Sequence, residues 1–213
     1  IKLSAATGRN YQIAEHILEK LGLTDPSVVA AGTQIVDPQS GEEMCSCYMD
    51  EITVKRALEI LAPHDVVVLV DGDTHDTAKK AAEIEPRPYR MLDVQYFPDS
   101  AIKHVIQQLK AEAGVSAIQV HSHLPEAHFL HITHREATKE HAIKELIKIL
   151  GLNYKNVAGV GDGLNDLELF KSVGVKVAMG NAVPELKAAA DVVVEAVEND
   201  GLALYLEGVV NDR

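Results

Sequence analysis

The chain has 213 residues with 32 acidic against 20 basic side chains, a formal net charge of −12, which argues against a nucleic-acid partner because phosphate backbones demand a basic face. Its apolar share of 46% is ample for a packed core, whereas no segment reaches the roughly 18 consecutive apolar residues of a membrane span and no signal-peptide pattern is visible. Two cysteines, Cys45 and Cys47, are separated by one residue; such neighbours make a poor structural disulfide and too small a zinc set, so both are read as reduced thiols of a cytoplasmic protein.

Ile1–Ala6 is an apolar run predicted as a strand, followed by Thr7-Gly8-Arg9 and then a helix with Ile13, Ala14, Ile17, Leu18 and Leu21 on one stripe before Gly22. A strand, a Thr-Gly turn and a helix start make a phosphate-friendly arrangement, although Thr7 is also a good helix cap. The chain opens at Ile1 inside this apolar run, and the expectation is that sequence upstream of it is missing. Val28–Val36 and Asp37-Pro38-Gln39-Ser40-Gly41 read as a strand and a turn.

From about Cys45 to His128 the texture changes: a helix near Ile52–Leu61, a strand at Val66–Val70, polar and proline-rich sequence to Pro88, a helix near Ser100–Ala113, and strands at Ser116–His121 and Phe129–Ile132. No phosphate-type turn interrupts this αβ mixture, which suits a separate domain inserted into a core. Six of the ten histidines fall between His121 and His141. His121 and His123 share one strand face by period two. A defined third metal ligand is lacking, so they read as polar surface or pocket residues, with His134 and Arg135 near a pocket rim.

Thr138–Leu150 is an amphipathic helix with Ala142, Ile143, Leu146, Ile147 and Leu150 on one side. Lys139 stands at its start, where the helix dipole disfavours a cation by ~0.3–1 kcal/mol, a placement that makes sense if an anion occupies the same spot. Lys144, farther along, is the second choice. Val157–Val160 then reads as a buried parallel strand, Gly161-Asp162-Gly163 as an acidic turn, and Leu164–Val173 as a helix. A carboxylate at the carboxyl end of a parallel strand is well placed for a ligand and for a hard cation such as Mg²⁺. Val175–Met179, a turn at Gly180-Asn181-Ala182, a short helix opened by Pro184, a strand at Asp191–Val194 and a helix at Gly201–Val209 complete the chain.

The string GDGLND (Gly161–Asp166), with VAMGNA downstream, resembles the fourth motif of haloacid dehalogenase-like phosphatases, in particular the type-IIB, Cof-like branch acting on sugar and metabolite phosphates. SAATGRN (Ser4–Asn10) resembles the family's second motif and ATKEHAIKEL (Ala137–Leu146) its third. The resemblance implies a doubly wound parallel, Rossmann-like α/β core formed by residues 1–44 and 129–213 with an inserted α/β cap at 45–128. Its implied activity is Mg²⁺-dependent hydrolysis of a phosphate monoester, with a small phosphorylated metabolite as substrate and neither nucleic acid nor membrane as partner. Thr7, Gly8 and Lys139 are implied to bind the phosphoryl group and Asn165 to orient phosphate or substrate. Asp162 is implied to hold the metal, and Asp166 to touch it through water or brace the loop. Asn181 is a further candidate for holding the metal loop. Ala31-Gly32 stands where relatives carry Asn-Gly, which removes a polar contact.

The family's nucleophile is the first aspartate of Asp-x-Asp-Gly-Thr. The only similar string, Val66–Thr74 with Asp71 and Asp73, lacks the Gly-Thr and lies inside the insertion, so the two aspartates are read as ending a cap strand. The true nucleophile is expected upstream of Ile1, which would leave the chain as given inactive. A non-catalytic phosphate-binding protein and a phosphomutase are the alternatives.

Overall fold

A computed structural model describes residues 1–71, 78–97, 99–121 and 128–211; Asp73 and His123 lie outside these, and His121 is placed through its backbone alone. The first helix, α1 (Tyr11–Lys20), begins at Asn10, whose side-chain oxygen accepts from the Ile13 N–H at 3.0 Å. Asn10 therefore takes the capping role that Thr7 was a candidate for. Ala14 and Leu18 are buried while Ile13 and Leu21 face solvent, so the apolar stripe is narrower than its sequence pattern. Of the predicted strand Ile1–Ala6, only its end pairs, through a parallel bridge from Ala6 to Val28.

Strands β1 (Ser27–Val29), β2 (Gln34–Val36) and β3 (Glu43–Ser46) form an antiparallel sheet in that order. The single strand expected over Val28–Val36 is broken because Ala30, Ala31 and Gly32 adopt φ values of +49°, +58° and +98°. The chain reverses there, and β2 returns along β1 with Ile35 opposite Val28.

The next unit gathers α2 (Glu51–Leu61), β4 (Val67–Val70), β5 (Lys79–Lys80), β6 (Met91–Phe97), α3 (Asp99–Ala111), β7 (Val115–His121) and β8 (His128–His134). Its five strands are antiparallel in the order β5-β4-β6-β8-β7. Leu92 lies opposite Ile132, and Val94 opposite both Leu130 and Val68. These side chains make one apolar cluster with Val54, Leu58 and Leu61 of α2 and with Val105 and Leu109 of α3. The sequence pattern places the return to the core at Phe129, but β8 pairs on both its edges inside this sheet. The physical reason is its alternation: Leu130 and Ile132 face the cluster under the two helices, so the strand completes that core and the chain leaves the sheet only after His134.

On the opposite face of the same sheet His131 stands across from Asp93, with Nε2 to Oδ1 at 3.7 Å. Burial pushes the imidazole below its ordinary pKa, and the neighbouring carboxylate only partly opposes this. The unfolded chain then binds the proton more readily than the folded one. Stability contributed by neutral His131 is full above the ordinary histidine pKa of about 6.5 and is lost as pH falls through the lower folded value. His131→Gln is expected to flatten the fall in melting temperature on going from pH 7 to pH 5, roughly the range over which histidine charges. A variant curve parallel to the parent's would contradict this.

The third sheet is parallel, with β9 (Ala158–Gly161), β10 (Val175–Ala178) and β11 (Val192–Val193) in the order β11-β10-β9. Val177 pairs with Val160 on one side and Val192 on the other. Short helices α5 (Leu167–Phe170) and α6 (Pro184–Ala189) make the two crossovers. Helix α4 (Lys139–Ile149) packs Ala142, Ile143, Leu146 and Ile147 into one cluster with Val28 and Ile35 from the first sheet and with Leu169 and Phe170 from α5. The terminal helix α7 (Gly201–Asn211) closes the described chain. The class is thus an α/β core carrying an additional α/β unit, the class that the sequence implies. Among the described residues no helix is long and apolar enough to cross a membrane.

Candidate active site

The acidic turn forms where β9 ends. Asp162 follows Gly161 directly, and its side chain is exposed. The helix expected over Leu164–Val173 is a 3₁₀ turn at Leu164–Asp166 followed by the single α-turn α5. Asp166 accounts for this tight start. Its Oδ2 turns back to accept from the Asp162 N–H at 3.0 Å and the Gly163 N–H at 3.1 Å, while its own N–H donates to the Gly163 carbonyl. A Cβ on Gly161 would lie 2.5 Å from Asp166 Cβ, so a glycine is what lets the carboxylate tuck beneath the turn.

The second oxygen of Asp166 accepts a hydrogen bond from Lys139 Nζ at 2.7 Å, and both residues are buried, with side-chain exposures of 11% and 7%. Lys139 is the first residue of α4, capped by Thr138, whose hydroxyl accepts from the His141 N–H at 3.1 Å. A cation at a helix start works against the helix dipole, and a buried one requires a partner. Asp166 is that partner. The pair thereby ties the acidic turn of the parallel sheet to the start of α4.

The opposite wall comes from the left-handed turn. A Cβ built on Gly32 would sit 2.6 Å from the Thr138 carbonyl carbon and 2.8 Å from the Lys139 nitrogen, so this backbone lies flush against the start of α4. The Ala31 N–H donates to the Thr7 carbonyl at 3.2 Å, and the Ala30 N–H to the Arg9 carbonyl at 2.7 Å. Thr7 Oγ1 accepts from the Arg9 N–H at 3.2 Å. Thr7, Lys139, Asp166 and Asp162 are therefore joined by a continuous series of contacts. Gly8 and Asn165 are exposed on the same loops, with open space where a Gly8 Cβ would stand. Ala31 has no glycine's freedom at φ +58°. Ala31→Gly is expected to stabilise the fold by about 0.5–1 kcal/mol, the relief of left-handed strain exceeding the entropy gained by the unfolded chain. A urea midpoint that stays put or falls would contradict that.

Other sequence candidates lie elsewhere. Lys144 is exposed and donates to Glu140 Oε1 at 2.6 Å, a contact that holds the Glu140 carboxyl below its usual range. Asp71 Oδ1 accepts from the Arg90 and Met91 N–H groups at 2.6 and 3.2 Å, closing a turn of the five-stranded sheet. His134 Nδ1 accepts from the Glu136 N–H and contacts Cys47 Sγ at 3.3 Å, and Arg135 donates to the Glu112 carbonyl. Both cysteines are unbridged; burial, with Glu136 and Cys45 nearby, raises the Cys47 thiol. Asn181 proves more deeply involved than its turn alone required. Its Nδ2 approaches Asp162 Oδ2 at 3.4 Å, and its oxygen accepts from the Val197 N–H at 3.1 Å.

An exposed carboxylate at the end of a parallel strand, backed by a buried lysine, fits a hard cation bound together with an anion. No group of three His, Cys, Asp or Glu converges on one point among the described residues. A cation held by Asp162 would complete its shell with water and ligand oxygens, the usual habit of Mg²⁺.

Residues 1–92 and 73–206 match the haloacid dehalogenase-like hydrolase family. A putative phosphatase of Haemophilus influenzae is 30% identical over 199 residues, spanning 86% of this chain and 76% of that protein. A haloacid dehalogenase-like hydrolase from Bacteroides thetaiotaomicron superposes with a TM-score of 0.79 at 21% identity, over 98% of this chain and 86% of the other. The subclass IIB sugar phosphatase BT4131 does so with a TM-score of 0.75 at 19% identity, over 98% and 85%. The chain belongs to the haloacid dehalogenase-like hydrolases.

Proposed function

We propose that this chain carries the metal- and phosphate-binding machinery of a Mg²⁺-dependent phosphate monoester hydrolase acting on a small phosphorylated metabolite such as a sugar phosphate, in the cytoplasm. The observation that carries the reading is the Lys139–Asp166 pair beneath the Asp162 turn. The phosphatase names of the Haemophilus relative and of the sugar phosphatase with the same fold point the same way.

In this reading Asp162 is the direct metal ligand, steadied by Asn181. Bound Mg²⁺ supplies neutralising charge to the phosphoryl oxygens. Asp166 braces from behind, because both its oxygens are already engaged. Lys139 has three ammonium protons and spends one on Asp166, which leaves donors for a phosphate. Thr7 accepts from Arg9, so its own hydroxyl proton is free to donate to the same phosphate. The Gly8 backbone and Asn165 flank that position. Such preorganised charge is the usual main source of rate in phosphoryl transfer. The five-stranded unit, nominally residues 45–128 with its last strand running to His134, would act as the cap that encloses substrate.

The attacking carboxylate of such a reaction, which would form the aspartyl-phosphate, is the first aspartate of the family's Asp-x-Asp-Gly-Thr, a string that residues 1–213 do not contain; Asp71 Oδ1 accepts from two backbone N–H groups of its own turn. The test is release of phosphate from p-nitrophenyl phosphate with and without Mg²⁺, by this chain and by one extended at its N-terminus with the Asp-x-Asp-Gly-Thr strand. Mg²⁺-dependent release by the extended chain alone is expected. Release by the chain as given would place the nucleophile within it. Binding without release by both would favour a phosphate-binding protein, and transfer to an added sugar in preference to water a phosphomutase.

A further inference from the structure

Three turns follow the carboxyl ends of β9, β10 and β11, and main-chain hydrogen bonds stack them side by side. The Met179 N–H donates to the Gly161 carbonyl and the Val183 N–H to the Asp162 carbonyl, each at 3.0 Å, so the loop after β10 grips the acidic turn twice. Behind it, the Gly180 N–H donates to the Glu195 carbonyl at 3.1 Å. A Cβ on Gly180 would lie 2.5 Å from the Ala196 nitrogen, so these two backbones are in direct contact. The third turn is the 3₁₀ segment Val197–Asn199. The Ala196 carbonyl closes it, accepting from the Asn199 N–H at 3.0 Å and the Gly201 N–H at 3.1 Å.

Asn181 sits in the middle turn, and the rear turn decides which end of its amide faces forward. Its Oδ1 accepts from the Val197 N–H at 3.1 Å. The donor end, Nδ2, is therefore the one turned to Asp162, whose Oδ2 it meets at 3.4 Å. Among the described residues Asp162 Oδ1 makes no hydrogen bond. One carboxylate oxygen is thus occupied by an N–H donor while the other stands open.

Two hard cations respond differently to such a carboxylate. Mg²⁺ demands a near-octahedral shell and keeps several waters, so a single carboxylate oxygen suits it. Ca²⁺ accepts roughly six to eight oxygens and readily takes both from one carboxylate. We infer that Asn181 is a positioning residue that biases Asp162 toward Mg²⁺ and against Ca²⁺ by occupying Oδ2. The Val197 N–H sets that bias from behind, by fixing the amide's orientation. The inference rests on Asp162 being a metal ligand, as proposed above.

The experiment is titration of this chain with MgCl₂ and, separately, with CaCl₂, read from the NMR shifts of the Gly161 and Gly163 amides. The proteins are the parent, Asp162→Ala, Asn181→Ala, Val197→Pro and the Asn181→Ala/Val197→Pro double variant. Proline suits position 197, because it opens a helical turn and follows Ala196, which is already extended at φ −69° and ψ 164°. It removes the N–H that anchors Asn181 and leaves Asn181 itself in place. In Asn181→Ala and in Val197→Pro the ratio of the two dissociation constants is expected to move toward Ca²⁺ by about fivefold, the scale of one hydrogen bond. Since both changes release the same constraint, the double variant should move the ratio no further. Equal weakening of both ions, a ratio unmoved in either single variant, or additive shifts would overturn the inference, the first by showing a merely structural brace. Ion binding that is absent from the parent, or that survives Asp162→Ala, would instead overturn the metal-ligand reading beneath it.

Discussion

Asp166→Ala is expected to destabilise the chain by about 3–5 kcal/mol, because it leaves Lys139 as a buried cation without its counter-charge. The Lys139 side chain is 7% exposed and sits at a helix start, so neither water nor the helix dipole replaces the lost carboxylate. The same substitution removes the acceptor for the Asp162 and Gly163 N–H groups. Asp166→Asn should therefore lie above Asp166→Ala by about 1–3 kcal/mol, since an amide oxygen still accepts from the turn although it no longer balances the ammonium. Lys139→Met in the Asp166→Asn background should recover part of the loss by removing the unpaired charge. Urea unfolding of the four proteins reads this order directly. Equal midpoints for Asp166→Ala and the parent would mean that the pair contributes nothing to the fold.

Gly32→Ala is expected to cost about 3–5 kcal/mol, combining a backbone conformation that alanine avoids with overpacking against main chain. At φ +98° a Cβ would stand 2.6 Å from both the carbon and the oxygen of the Thr138 carbonyl. No side-chain rotation relieves that contact, so either the turn or the start of α4 must shift. The melting temperature should fall by roughly 10 °C for a chain of this size. Because Lys139 is the first residue of α4, phosphate binding should weaken as well. The contrast with Ala31→Gly is the informative part, as adjacent positions in one turn respond with opposite sign. A melting temperature within a degree or two of the parent would show that the turn is not pressed against α4.

Much of this arrangement was legible in the sequence because it depends on short-range pattern. The apolar runs at Val66–Val70 and Val175–Met179, the helical stripe from Ala142 to Leu150, Pro184 as a helix opener and the strand-turn order around Asp162 all appear close to where they were read. What was not legible depends on partners far along the chain. The break at Ala30–Gly32 gives no glycine signal at its first two positions, since alanine there is held at positive φ by N–H bonds donated to the Thr7 and Arg9 carbonyls and by the start of α4. Strand β8 was read as core because its own alternation says only that one face is buried, not which sheet buries it. The two roles left open for Asp166 differ only in where its oxygens point. Its contact with Lys139, 27 residues earlier, favours bracing.

The measurement that tests the central claim most directly is calorimetric titration of inorganic phosphate into this chain, with and without Mg²⁺, for the parent and Asp162→Ala. Asp162 is exposed, and among the described residues its carboxylate makes only the 3.4 Å contact with Asn181, so the variant should fold as well as the parent. The account predicts phosphate binding that needs Mg²⁺ in the parent and disappears in Asp162→Ala. Binding that is indifferent to Mg²⁺ and survives the substitution would contradict the assignment of the acidic turn as the metal and phosphate site.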